Sequence, residues 1–173
     1  MDISETMLPY IEKAYSMVSE RIRKISREGK VRKDYILTLT EVQSFLATLR
    51  DFLKRASCLE QAYKDLKVGR LCHKWLYTEE GSIRILTKLN PKLVIAFNGS
   101  EIKVTYNDRE AKISGNQVEY TVNLFRDTIT LENVEEVLEK KSVLINALGK
   151  LKAALQHTLN DFDLCIKELR LRC

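Results

Sequence analysis

Histidine is almost missing from this chain. Two in 173 residues, His73 and His157, leave imidazole acid–base chemistry and metal ligation little to draw on. The local signatures of catalysis are missing too. No HExxH, GxSxG, phosphate-loop or dinucleotide glycine pattern occurs, so the expectation is a non-enzymatic protein without a cofactor. The four cysteines, Cys58, Cys72, Cys165 and Cys173, form no CxxC pair and no regular spacing, which predicts unbridged thiols in a reducing, cytoplasmic protein. Long apolar runs are absent as well. The longest, Leu93 to Phe97, is far below the roughly 20 residues that hydrocarbon requires. Met1-Asp2-Ile3-Ser4-Glu5 has no basic leader character, so no membrane partner is expected.

What the chain does hold is apolar periodicity. Tyr35, Leu39, Val42, Leu46, Leu49, Leu53, Ala56, Tyr63 and Leu66 keep a 4-3 spacing, and Phe45, Phe52, Leu59 and Leu66 form a second column beside them. That face is too wide for one partner helix; it predicts an organising helix with at least two neighbours. Leu8, Ile11, Tyr15, Val18, Ile22 and Ile25 predict a helix before it, stopped by Gly29. The short link between them makes the two antiparallel neighbours, with Thr40 an alternative start for the second.

From Gly81 the period changes to two. Ile83 to Leu89, Leu93 to Phe97, Ile102 to Tyr106, Ala111 to Ile113, Val118 to Leu124 and Ile129 are separated by Asn90-Pro91, Asn98-Gly99, Asn107-Asp108, Gly115-Asn116 and Arg126-Asp127. This predicts an antiparallel meander whose one apolar face needs cover. Val134 to Leu169 supplies it as a long helix, capped by Asn133 and Glu136, with Gly149 marking a close contact or a bend. The fold class expected is α+β in one domain, 1–173. It comprises an N-terminal antiparallel helical hairpin over 4–78, a β-meander of five or six strands over 82–131, and a C-terminal helix over 132–171 packing on both.

Three surfaces carry functional expectations. Leu39, Leu46 and Leu53 with Leu144, Leu148 and Leu155 are surplus apolar seams that predict a coiled-coil-like interface, either in a homodimer or with another protein. Arg21, Arg23, Lys24, Arg27, Lys30, Arg32 and Lys33 oppose only Glu28 in the window 21–33, while the rest of the chain is near neutral. Gathered at the hairpin tip they form a basic patch for the DNA or RNA backbone, with Tyr35 able to stack on a base. A small apolar ligand between the sheet and the C-terminal helix is the third possibility. His157, Asp161 and Cys165 share a helix face, but side chains about 6 Å apart along a helix cannot all close on one ion, so no metal site is expected. The leading expectation is an interaction or assembly module that oligomerises through its long helices.

Overall fold

A computed structural model describes residues 3–29, 32–62, 68–71, 74–79, 81–86 and 91–173. Helix α1 spans Met7–Glu28 and α2 spans Lys33–Ala62. Pro9 falls in the first turn of α1, where its missing N–H is harmless, and Gly29 ends the helix at φ 69° in the left-handed region. The hydroxyls of Thr38 and Thr40 donate back to the carbonyls of Asp34 and Ile36, four residues earlier, so Thr40 lies inside α2 and not at its start. The two helices are antiparallel. Ile3 N–H meets Glu60 Oε1 at 3.0 Å, Gln43 donates to Ser19 at 2.8 Å, and Arg21 donates to Tyr35 at 2.9 Å.

The hairpin is shorter than expected. It closes at Ala62, and strands β1 (Val68–Leu71) and β2 (Lys74–Glu79) occupy part of the range assigned to helix. Six further strands follow between 82 and 131: β3 (Ser82–Leu86), β4 (Pro91–Phe97), β5 (Ile102–Tyr106), β6 (Arg109–Ser114), β7 (Gln117–Val122) and β8 (Phe125–Thr130). All eight pair in chain order as one antiparallel sheet. Register fixes its inner face. Ile83, Ile95, Val104, Ala111 and Tyr120 are successive cross-strand partners in one row, and Phe97, Ile102, Ile113, Val118 and Ile129 form the next. The opposite face of β6 to β8 is polar, with Arg126 and Lys112 bridging Glu110 and Glu119 across strands.

Helix α3 spans Val134–Glu168, about 50 Å at 1.5 Å per residue. Asn133 caps it by accepting the Glu136 N–H at 3.2 Å. The helix touches α2 on one side and β5 to β8 on the other. Its direction relative to α2 is readable from three polar ties: Lys141 to Asp34 at 2.8 Å, Lys152 to Ser44 at 2.5 Å, and Arg55 to Asp163 at 3.1 Å. Their separations in sequence, 107, 108 and 108, are constant, so α2 and α3 run parallel, and the whole sheet is the crossover that returns the chain.

Candidate functional site

The six leucines expected at an intermolecular interface are interior. Leu39, Leu46, Leu53, Leu144, Leu148 and Leu155 all belong to the buried core, where α2 and α3 meet within one chain. The apolar surplus on each helix is real, but the parallel partner helix and the sheet absorb it, so these side chains present no surface to a second protein. The same packing bears on the ligand expectation. Ile95, Ile102, Val104, Val118, Tyr120 and Ile129 beneath the sheet are buried by one another and by α3.

The basic tip is divided. Arg21 is held inward: its Nε donates to Tyr35 and a terminal nitrogen donates to the Glu132 carbonyl at 3.1 Å. Tyr35 in turn donates to the Leu131 carbonyl at 2.5 Å, and its buried ring cannot stack on a base, contrary to expectation. Arg23 pairs with Glu20, and Arg32 reaches Glu135 at 2.9 Å. Lys24, Arg27 and Lys33 are exposed without an ion pair among the described residues, and Lys30 lies outside those residues. The acidic start of α3, carried there by the sheet's last strand, therefore interrupts what the sequence reads as a continuous positive patch.

Cysteine also departs from expectation. Cys58 of α2 and Cys173 are joined in a disulfide with Cα atoms 5.7 Å apart, and no cysteine among the described residues is free. Cys165 is buried and disulfide-bonded, so it cannot join His157 and Asp161 in a reactive triad. No cluster of three or more metal-ligating side chains occurs among the described residues. Nor is any described helix long and apolar enough to cross a membrane.

The prominent surface feature is one that the periodicity conceals. Val118, Tyr120, Val122 and Leu124 alternate as if Leu124 ended a buried column, yet β7 stops at Val122 and the chain turns through Asn123 (φ 50°) and Leu124 (φ 70°) into β8. Leu124 is 84% exposed and Phe125 77%. Phe125 is the cross-strand partner of Val122, so it continues the inward-facing columns past their covered part. Tyr106, assigned to the core by the same alternation, sits at this end of the sheet and is 37% exposed. Asn123, a residue that enters the left-handed region readily, is the sequence signal for the turn.

At the opposite end of β7 lies a cleft. Met17, Val18 and Lys24 of α1, Leu39 of α2, the Gly115-Asn116 turn and Leu131-Glu132 border a space of about 210 Å³, apolar at its base and charged at its rim. A second hollow of about 290 Å³ lies across Arg21, between Ile25, Arg32, Tyr35 and Val134. No family model matches the chain, and neither a curated protein nor a solved structure matches it.

Proposed function

We propose that this protein is an interaction module that binds another protein chain through the β7–β8 turn. The observation carrying this reading is the pair Leu124 and Phe125, two large apolar side chains almost fully in water at adjacent positions. A buried aromatic or aliphatic anchor entering a partner's pocket accounts for much of the affinity in many interfaces, and a rigid anchor loses little entropy on docking. Here the strands on both sides set the backbone: Leu124, at φ 70°, occupies a region that residues other than glycine seldom enter.

Phosphate contact at the hairpin tip is the weaker alternative. It rests on Lys24, Arg27 and Lys33, with Glu132 and Glu135 beside them. The interaction reading is tested by replacing Phe125 with a photo-crosslinking phenylalanine analogue in producing cells, with exposed Glu12 as the control position. An adduct to a defined protein peptide is expected at 125 and not at 12. Equal labelling at the two positions would sink the reading.

A further inference from the structure

We infer that the partner of the β7–β8 turn binds as an added strand: an extended segment of another protein pairs along the free edge of β8 and sets an apolar side chain against Phe125. The inference rests on the proposed role of the turn and adds how the partner is held. β8 is the last strand of the sheet, and no strand pairs on its far side among the described residues. The direction of its backbone groups follows from the turn. Asn123 and Leu124 both have positive φ, so they form a two-residue hairpin turn closed by the hydrogen-bonded pair Val122 and Phe125. Hydrogen-bonded pairs then recur at every second position, Tyr120 with Asp127 and Val118 with Ile129, and the Leu131 N–H donating to the Asn116 carbonyl at 2.7 Å continues the series. Arg126, Thr128 and Thr130 therefore turn their N–H and C=O groups away from β7. Of these groups only the Thr130 carbonyl has a backbone partner among the described residues, the Asn133 N–H at 3.0 Å.

An open edge is a template for strand pairing, and natural sheets commonly guard theirs with proline, a bulge, lysine or an inward-pointing charge. β8 has little of that protection. Phe125–Thr130 contains no proline, glycine or lysine, and its pairing with β7 runs without a shift of register. Its charges are held elsewhere: Arg126 lies back over the sheet with its Nε 3.0 Å from Glu119, and Asp127, which points inward, is engaged by Lys140 of α3 at 3.3 Å. The backbone edge and the apolar turn form one surface. A strand exchanging hydrogen bonds with Arg126 and Thr128, about 7 Å apart, also carries a residue directly beside Phe125, which is 77% exposed. In an antiparallel pairing that residue takes the non-hydrogen-bonded position, where facing side chains come closest. The main-chain bonds supply affinity that is insensitive to sequence, and the phenyl contact selects an aliphatic or aromatic residue at that position.

The test places the crosslinking analogue at position 125, in producing cells, in the otherwise wild-type chain and beside Thr128→Ala or Thr128→Pro. Proline at 128 removes an outward N–H and sets its ring on the free edge while sparing the bonds to β7; alanine leaves the backbone edge intact. Adduct yield is expected to fall about tenfold or more with Thr128→Pro and to be unchanged with Thr128→Ala. An unchanged thermal midpoint verifies that the proline variant is folded. Amide hydrogen exchange on the purified adduct of the otherwise wild-type chain reads the same edge without the proline. The N–H groups of Arg126 and Thr128 are expected to exchange fast in the free chain and about tenfold or more slowly in the adduct, while that of Ile129 is slow in both. A folded Thr128→Pro variant that labels like wild type, or an adduct in which those two amides stay fast, overturns strand addition and leaves the turn as an interaction site. An adduct to a second copy of this chain overturns the assignment to another protein. Labelling at 125 no greater than at position 12 sinks the interaction reading and strand addition with it.

Discussion

At the residue scale, two glycines of opposite character show how local space decides a substitution. Gly149 lies on the exposed side of α3, and an added Cβ meets nothing within 4 Å, so neither the close contact nor any other packing reason explains it. Gly149→Ala is expected to stabilise the fold by about 0.5–1 kcal/mol, read as a higher denaturant midpoint at unchanged slope. Gly81 is the reverse. It sits at φ 79°, its carbonyl accepts the Phe97 N–H, and a Cβ would stand 2.6 Å from the Phe97 oxygen. Gly81→Ala is expected to lower the same midpoint, through both the backbone conformation and the collision.

Tyr120 supplies a pH-dependent test. Its side chain is buried, its hydroxyl has no hydrogen-bond partner among the described residues, and burial, with the charges of Asp127 and Glu136 behind it, pushes its pKa up to about 12. The unfolded chain would release that proton near pH 10. The folded state binds it more tightly, so this contribution is complete below pH 10 and disappears as pH rises toward 12. Tyr120→Phe is expected to flatten the alkaline loss of stability in that window, measured by denaturant titrations at successive pH values. A variant that keeps the wild-type slope would show that another group is responsible.

At the element scale, the strongest relation in the molecule is the parallel alignment of α2 and α3. The leucine repeats are those of a helix pair, and they form one inside a single chain. Periodicity specifies that an apolar face must be covered; it does not specify whether the cover lies 108 residues away or on another molecule. The same arrangement governs the basic tip, because parallel helices start at the same end and bring Glu132 and Glu135 beside Arg21 and Arg32. Retention on heparin is therefore expected to be weak and lost by about 0.15 M salt, where exposed charges are screened beyond about 8 Å. Firm retention above that salt concentration, removed by reversing Lys24, Arg27 and Lys33, would restore the phosphate reading.

At the scale of the whole molecule, the Cys58–Cys173 bridge closes a loop of 115 residues that contains the sheet and α3. Constraining so long a loop in the unfolded chain gives a disulfide its largest entropic effect, within a usual range of about 2–4 kcal/mol. Replacing both cysteines by serine is expected to lower the thermal midpoint by roughly 5–15 °C for a chain of this size. Reducing agent is expected to lower the wild-type midpoint by at least as much, because it also opens the disulfide of Cys165. The bridge also bears on compartment. Disulfides persist in oxidising surroundings and in the interiors of hyperthermophiles, so acid-quenched cells labelled with a thiol reagent are expected to yield Cys58 and Cys173 unmodified.

Much of the fold was legible along the chain because the determining signals are local. The 4-3 stripe of α2, the alternation from Ile83 to Ile129, Gly29 as a stop and Asn133 as a cap each act within a few residues. The Asn98-Gly99 pair was legible only as a turn. It forms a four-residue loop in which the Asn98 side chain accepts from the backbone N–H groups of Ser100 and Glu101, not a two-residue hairpin turn. The candidate site was far less legible, since exposure belongs to the packed whole. Leu124 and Tyr106 carry the same alternation as the core residues beside them, but Leu124 stands in the left-handed turn after β7 and Tyr106 at the last residue of β5, in the same end row of the sheet. Apolar order along the chain thus set which faces seek burial. Only the assembled structure decided which partner each face found, which charges were neutralised, which cysteines met and which apolar side chains were left in water, because each of those is a distance between segments far apart in sequence.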